Sequence, residues 1–414
     1  MKIVTINHYG VTPDMPGPSK NYEMAKYFSD KYDCKSEFWI CGFSHYIGKL
    51  DESLGKLKIQ SKKTIDKFSI VKIRSTPYRK NAFLRQLNIT VFDIVTAIKI
   101  LFSKDIDCII MTAPPVTILN ILATKIKKIK LIADVEDLWP LFLEDMGMKN
   151  KLAINYMNFG SEYMYNSADA IAAVSSGMLE YVSSKVRSNS KTMWISPLGV
   201  NVNEYINRKK NYELVDNKMW KNDYKIMYLG VHGRANDLIT VLKTINTLNE
   251  KLTQIKIDKK ISFIFVGEGD QKSKCMEYAN SLKLNNVYFE DAVPNSLVPE
   301  YLAHADICLT NLMKIESFKL VRPNKLFQYM ALGKPIISGI WGEFSEIIEE
   351  VQSGIYVDFT DEHQASNQII EMLNDKSKLD EMSLNGVKYI LEHGDRKKIF
   401  DTFYKNIRNI CEEK

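Results

Sequence analysis

The sequence predicts an α/β protein made of two facing, Rossmann-like, doubly wound domains. Three observations lead there. The chain has 414 residues, too many for one ordinary core and suited to two domains of roughly 200 residues each. Short β-branched runs alternate with longer amphipathic stretches, the mark of βαβ units and a parallel sheet. The same alternation restarts after about residue 222.

In the first half, Ile3 to Asn7, Ser36 to Cys41, Cys108 to Thr112 and Lys130 to Asp134 read as strands. Asn21 to Tyr32 and Ala153 to Ala168 lie between them as helical patterns. The second set of strands is Lys225 to Leu229, Ser262 to Val266, Val287 to Phe289, Ile307 to Leu309 and Pro335 to Ser338. Between the halves lies Ser196-Pro-Leu-Gly-Val-Asn-Val-Asn-Glu-Tyr, followed by the polar run Asn207 to Asn222, a loop-like tract rich in Asn and Lys. The expected domains are 1–200 and 201–394, with 395–414 forming an amphipathic helix that packs back toward the first domain.

With 45% hydrophobic and 26% charged residues, the composition excludes disordered and fibrous classes. The six cysteines, Cys34, Cys41, Cys108, Cys275, Cys308 and Cys411, are scattered without Cys-x-x-Cys spacing, which predicts buried thiols in a reducing compartment. Met1-Lys-Ile-Val-Thr-Ile-Asn-His reads as a first strand, and a cytoplasmic location is the expectation. The longest apolar stretch, Asn88 to Phe102, is interrupted by Asp93 and Lys99 and falls short of the ~20 residues needed to span a bilayer. A net charge of +6 is modest, but Arg79, Lys80, Arg85, Lys125, Lys127, Lys128 and Lys130 gather in the first half. An anionic membrane surface, touched peripherally at the inner face, is the partner this favours. The reading includes no nucleic-acid partner.

Parallel sheets bind ligands at the carboxyl ends of their strands, so the turns leaving the strands carry the functional reading. Gly230-Val-His-Gly-Arg-Ala-Asn-Asp follows the first strand of the second half. Gly230 and Gly233 allow a backbone to approach a phosphate, and Arg234 adds a fixed positive charge. A plain βα turn capped by Asn236 or Asp237 competes with that reading. Gly267-Glu-Gly-Asp and Glu290-Asp-Ala-Val-Pro leave the next two strands, and Gly267, Gly269, Ala292 and Val293 are candidates to line a nucleotide base. Taken singly these are weak signals, because Gly and Pro after a strand usually mean only a turn.

The fourth turn, Phe318-Lys-Leu-Val-Arg-Pro-Asn-Lys-Leu-Phe-Gln-Tyr-Met-Ala-Leu-Gly-Lys-Pro, is the most informative. Asn324 is the expected N-cap, Leu326, Phe327, Met330 and Ala331 form one apolar face, and Gly333 stops the helix. Lys325 then stands at a helix N-terminus. A cation there opposes the dipole, and an anionic ligand explains it most simply.

The order of these turns, with Val174-Ser-Ser-Gly-Met and Pro197-Leu-Gly-Val-Asn, resembles the family 4 retaining glycosyltransferases of the type B fold. Within it the sequence is most similar to the bacterial branch that builds O-antigen, capsule and colanic-acid repeats. Asp134-Val-Glu-Asp-Leu-Trp-Pro, Gly233-Arg-Ala-Asn-Asp-Leu, Val266-Gly-Glu-Gly-Asp and Pro323-Asn-Lys-Leu-Phe-Gln-Tyr-Met-Ala-Leu-Gly-Lys-Pro carry the likeness.

What the resemblance implies is a nucleotide-sugar donor, UDP-linked and in one version an N-acetylated amino sugar, held by the second domain. Arg234 and Lys325 would neutralise the diphosphate, with Asn324 and Leu326 beside them, and Gln328 would face the ribose. The wider family has two glutamates eight residues apart here, where this chain has Leu320 and Gln328. Leu320 cannot replace a carboxylate, and Glu316 is the nearby candidate to hold the sugar. Where the family often has a histidine, this chain reads Glu136-Asp137, and Asp137 is the choice for a catalytic residue at the acceptor or reacting sugar. An N-cap or structural aspartate is the competing role. His8, Gly17 and His45 are further acceptor candidates, although for a lone histidine a satisfied loop residue is the better reading. The acceptor implied is a polyprenyl-diphosphate-linked glycan. No metal or other cofactor is expected: Asp105-Ile-Asp107 introduces a strand instead of following one. A nucleotide-sugar 2-epimerase of the same fold and a non-catalytic nucleotide-sugar-binding partner remain the alternatives.

Overall fold

The computed structural model describes residues 1–78, 82–188, 190–206, 224–255 and 260–412, with the side chains of 254 and 255 left aside. Arg79 and Lys80 of the basic group and the polar run Asn207 to Asn222 lie outside the described residues. The chain divides into two compact units, Met1–Pro197 with Lys397–Lys414, and Leu198–Arg396.

The first unit holds eight strands: β1 (Lys2–Asn7), β2 (Lys35–Cys41), β3 (Gln60–Ile65), β4 (Phe68–Ile73), β5 (Cys108–Ala113), β6 (Lys130–Val135), β7 (Ala170–Ala173) and β8 (Thr192–Ile195). Their order is β3-β4-β2-β1-β5-β6-β7-β8. Only β3 runs antiparallel, against β4. Four of these strands escape the sequence reading. The β3–β4 hairpin turns at Asp66, which sits at φ 53°, and β3 itself, Gln-Ser-Lys-Lys-Thr-Ile, is a polar edge strand whose lysines protect it from further pairing. β7 is Ala-Ile-Ala-Ala, too small and unbranched to look like a strand. β8 is four residues with no residue fully buried.

The helix Lys20–Tyr32 covers one face of this sheet, placing Met24 and Phe28 against Ile3, Cys108 and Ile132. The same core takes Phe400, Phe403 and Ile407 from the C-terminal helix Arg396–Glu412. Each such side chain contributes roughly 1.5–3 kcal/mol on full burial, enough to anchor that helix to the first unit. All six cysteines are free thiols, five of them buried.

The second unit is a six-stranded sheet of β9 (Tyr224–Leu229), β10 (Ile261–Val266), β11 (Val287–Glu290), β12 (Ile307–Thr310), β13 (Ile336–Ser338) and β14 (Gly354–Tyr356). The order is β11-β10-β9-β12-β13-β14, with every pairing parallel. Alternate residues feed two cores. Tyr228, Phe263, Phe265 and Leu309 pack on one side, and Met227, Ile264, Val266 and Cys308 on the other with Leu326, Phe327 and Met330. Burial on both faces is why these strands read as continuous apolar runs. The strand order reverses between β9 and β12, and the turns leaving β9, β10 and β12 therefore meet at a topological switch point.

Candidate functional site

At the carboxyl end of the second unit's sheet, the turns after β9 and β10 interlock. Gly230 N donates to Val266 O (2.9 Å), and His232 N donates to Glu268 O (2.8 Å). A Cβ on Gly267 would lie 1.9 Å from Gly230 O, and one on Gly269 would lie 2.2 Å from His232 O. Contact between the two turns therefore requires glycine at both positions. Gly230 has a different neighbour: a Cβ there would meet Cε and Nζ of Lys325 at 2.6 and 2.7 Å. The first and fourth turns of the sequence reading are thus one construction, in which Gly230 makes room for Lys325. Gly233 has ordinary space around it.

Lys325 is the second residue of the helix Asn324–Ala331. Its Nζ lies 4.7 Å from the centre of the Tyr228 ring and donates to the Tyr228 hydroxyl at 3.4 Å. No carboxylate pairs with it among the described residues. Packed surroundings without a counter-charge lower the ammonium to about 8. The cap differs from expectation: Pro323 occupies the N-cap position with no side-chain hydrogen bond, and Asn324 is the first helical residue. Its Oδ1 is buried and has no partner among the described residues. A proline that ends the preceding loop sets the entry angle, and the asparagine moves one position inward.

Arg234 lies exposed in the 3-10 turn Arg234–Asn236 with no carboxylate partner among the described residues. Asn311, at the end of β12, fastens that turn by donating to the carbonyls of Asn236 and Asp237, both at 3.2 Å. Lys272 ties the turns after β10 and β11, reaching Glu268 (2.6 Å), Glu290 O (3.1 Å) and Asp291 (2.8 Å). Ala292 and Val293 follow on that second turn, Ala292 exposed and Val293 half-buried against the core.

Two other expectations need correction. Gln328 is 8% exposed and its Nε2 donates to the Tyr205 hydroxyl at 2.9 Å, so its amide is turned into the unit instead of standing open for a ribose. Its place on the inward side of the helix Asn324–Ala331, beside the buried Leu326 and Phe327, dictates this. Glu316 points outward, 76% exposed, and pairs with Lys319 at 2.7 Å. Leu320 ends the same 3-10 turn, Glu316–Leu320. Nothing in this stretch presents a carboxylate toward Lys325.

At the carboxyl end of the first unit's sheet, a buried polar network joins β1, β5 and β6. Lys20, 1% exposed, reaches Asp134 at 3.2 and 3.3 Å, and Glu136 at 3.6 Å. Asn21 donates to Thr112 (3.1 Å) and Asp134 (3.0 Å), and Asn7 donates to Asn21 (3.1 Å). Burial raises the Glu136 carboxyl to about 7, against the opposing pull of Lys20. Asp137 follows at the surface, exposed, before the buried Leu138.

The acceptor candidates gather at this end, though not all face outward. His8 is buried, with Nε2 at 2.7 Å from Asn88 Oδ1, and burial lowers its imidazole to about 3. It belongs to the interior. His45 is exposed, with Nδ1 2.7 Å from the Tyr78 hydroxyl, and is lowered to about 4 by desolvation. At neutral pH both rings are uncharged. Gly17 has φ 120°, and the Tyr46 ring fills the space its side chain would need, at 2.8 Å. Its glycine identity thus answers to Tyr46. Asp107 of the Asp-x-Asp sequence accepts the Lys2 amide at 2.7 Å. Among the described residues, no group of three or more His, Cys, Asp or Glu is placed to hold a metal ion.

Residues 226–375 match the family model described as glycosyl transferases group 1. The chain is a glycosyltransferase. That model spans the β9-to-β14 sheet, where Arg234 and Lys325 lie. The sequence matches no curated protein. Solved structures similar to the transferase include a sucrose-phosphate synthase from Thermosynechococcus elongatus, with a TM-score of 0.73 at 13% identity over 99% of this chain and 98% of that one. Anabaena HepE in complex with UDP and glucose gives 0.70 at 14% over 99% and 100%. WaaG, a glycosyltransferase involved in lipopolysaccharide biosynthesis, gives 0.68 at 12% over 97% and 99%. At these identities the likeness is one of fold, the two-domain type B architecture.

Several residues of the transferase's two sheet ends escape the sequence reading. Lys20, Asn21 and Asp134 come from distant positions, and only the fold unites them. Tyr228 reads as a strand residue. His232 is fully buried, neither ring nitrogen has a hydrogen-bond partner among the described residues, and desolvation lowers it to about 4. Lys272 carried a local signal, its four-residue spacing from Glu268, which favours an ion pair on a helical turn.

Proposed function

We propose that the transferase belongs to family 4 and moves a sugar, with retention, from a UDP-sugar held by the second unit to a polyprenyl-diphosphate-linked glycan in the assembly of a bacterial surface polysaccharide. The single observation that carries the donor half is Lys325: a partly enclosed ammonium at a helix N-terminus, seated in the space left by Gly230 and, among the described residues, without a carboxylate. A diphosphate supplies the missing counter-charge, and the helix N-H groups add to it. Arg234, without an ion pair among the described residues and set in the turn that Asn311 fastens, is the second cation.

The chemistry asked of these groups is electrostatic. Charge builds on the leaving phosphate oxygen as the glycosidic bond breaks, and fixed cations stabilise that charge more in the transition state than in the ground state. Lys325 and Arg234 perform this without a metal ion. Asp137 stands at the acceptor end as the group that orients the incoming hydroxyl. Two bound UDP complexes among similar folds, those of HepE with UDP and with UDP-glucose, favour uridine as the carrier.

For the acceptor, the helix Ala82–Phe102 has an exposed apolar face at Leu87, Ile94, Ile98 and Leu101. Lys125, Lys127 and Lys128 flank exposed Ile126 nearby in the same unit. Apolar side chains fringed by lysines suit peripheral attachment to an anionic bilayer. Among the described residues no helix is long and apolar enough to cross a membrane.

A donor screen by mass spectrometry tests the reading: the protein is incubated with nucleotide sugars and extracted lipid-linked acceptors, with and without EDTA. Transfer from a UDP-sugar with retained anomeric configuration, insensitive to EDTA, is expected. Isomerised free donor, or turnover that EDTA abolishes, contradicts it.

A further inference from the structure

In the first unit's polar network, Lys20 is one ammonium facing two carboxyl groups, and it satisfies only one of them. An ammonium has three N-H groups to give. Those of Lys20 serve the two oxygens of Asp134, at 3.2 and 3.3 Å, and Ser196 O at 3.5 Å. Asp134 receives a further donor, Asn21 Nδ2 at 3.0 Å, and is fully buried. Glu136, two residues on, lies 3.6 Å from the same ammonium. Its Oε1 is enclosed and has no hydrogen-bond partner among the described residues. The side chain keeps 17% exposure, so it runs from the buried ammonium to the surface just beyond β6. Its backbone is held too, Glu136 N donating to Ala113 O at the end of β5 at 2.9 Å.

A carboxylate that serves only structure in such a network collects hydrogen bonds, as Asp134 does. Glu136 is the surplus: it has the charge of Lys20 nearby and no donor from it. Burial, opposed by Lys20 and reinforced by Asp134 and Asp137, raises its carboxyl to about 7. Tyr46, a phenol that burial holds neutral, faces both Glu136 and Asp137. Asp137 differs in that it is exposed, and among the described residues no cation pairs with it.

We propose that Glu136 is the catalytic base of the transferase, taking the proton of the acceptor hydroxyl that Asp137 orients. The inference rests on the reading of this sheet end as the acceptor site. As the acceptor oxygen bonds to the anomeric carbon, the bond from that carbon to the diphosphate oxygen breaks and its electron pair leaves with the diphosphate. The hydroxyl proton passes to the Glu136 carboxylate and from there to solvent. The carboxylate acts on the acceptor oxygen and never bonds the anomeric carbon, so retention is untouched. A base that titrates near neutrality is present as carboxylate and is still basic enough to accept a proton. Lys20, behind it, fixes the inner oxygen by charge and leaves the rest of the group at the surface.

The test is the pH dependence of kcat, from about pH 5 to 9, with saturating amounts of the donor and lipid-linked acceptor that the mass-spectrometric screen yields. Wild-type kcat should fall about tenfold per pH unit below about 7. Glu136→Gln should lower kcat at about pH 8 by roughly 100-fold or more, remove the acid limb and leave UDP affinity unchanged, and Glu136→Asp should bring the limb back. Asp137→Asn should be slower and keep the limb. A Glu136→Gln enzyme with wild-type kcat, or with the limb intact, overturns the proposal, as does a limb that only Asp137→Asn removes. A second measurement needs no substrate. The folded state binds the extra proton on Glu136, so stability from this group falls as pH rises from about 4.5 to about 7. Urea denaturation of wild type and Glu136→Gln across that window should show the wild type losing stability relative to the variant, and parallel curves overturn the proposal. Wild-type protein that transfers from no donor counts instead against the donor reading, which UDP affinity reports separately.

Discussion

Lys325 and Gly230 act as one unit, and this makes the glycine as informative as the lysine. A methyl group at position 230 would occupy the space of Lys325 Cε and Nζ, so Gly230→Ala should displace the ammonium without removing it. We expect Gly230→Ala to lower UDP affinity about as much as Lys325→Ala, while leaving the fold intact by circular dichroism. Lys325 also has a pH signature. Its ammonium is lowered to about 8 by desolvation, so in the free protein it loses its proton as pH rises through that value. Affinity for an anionic donor is then full below pH 8 and falls above it, by up to about tenfold per pH unit until the pKa of the complex is reached. The dissociation constant measured between pH 7 and 10 checks this. Asp137, proposed to orient the acceptor, should separate from this behaviour: Asp137→Ala should reduce kcat for transfer and leave the affinity for UDP unchanged.

At the scale of elements, Asp93 shows what an interruption of an apolar run can be for. In the sequence it interrupts an apolar run. In the fold it accepts the amides of Leu119 (3.0 Å) and Asn120 (2.9 Å), closing the N-terminus of the neighbouring helix Ile118–Ile126. Asp93→Ala strands two amides at a helix end and should cost about 1–3 kcal/mol in urea denaturation. Burial raises its carboxyl from the usual value to about 6, above its unfolded pKa. The folded state therefore binds the extra proton, and stability from this group falls as pH rises from about 4 to about 6. An Asp93→Asn protein should lack that slope. The apolar face of the helix Ala82–Phe102 was partly legible, since period 3.6 separates one stripe from another. What the pattern could not tell is that the outer stripe is apolar too, because a second apolar face and a buried one look alike in a sequence.

Across the whole molecule, the legible part was whatever depends on local order. Parallel strands with turns at their carboxyl ends give continuous apolar runs followed by Gly, Asn or Pro, and the five strands expected in the second unit are all present within one or two residues. β14, Gly-Ile-Tyr, holds a single aliphatic residue after a glycine and gave no apolar run to read. The direction of Gln328 was not legible, since the partner that turns it inward, Tyr205, lies 123 residues away. The same holds for the Lys20, Asn21 and Asp134 network, assembled from a helix start and the end of β6. Breaking that network should be felt globally. Lys20→Met leaves Asp134 and Glu136 buried without their cation, for an expected loss of about 3–5 kcal/mol, seen as a lower midpoint in a full denaturation curve. The surface attachment proposed above is also tested on the molecule as a whole. The chain should pellet with anionic liposomes at low salt and release as salt is raised, because screening weakens the lysine contribution. Equal partition onto neutral vesicles contradicts it.

The central claim is that the ammonium of Lys325, seated against Gly230 and Tyr228, is the counter-charge for a nucleotide diphosphate. Calorimetric titration of UDP into the wild type and Lys325→Ala at pH 7 tests it most directly. A charge-assisted contact is worth about 1.5–3 kcal/mol, so the variant should bind UDP roughly 10- to 150-fold more weakly while remaining folded. A Lys325→Ala protein that binds UDP as tightly as the wild type contradicts the account.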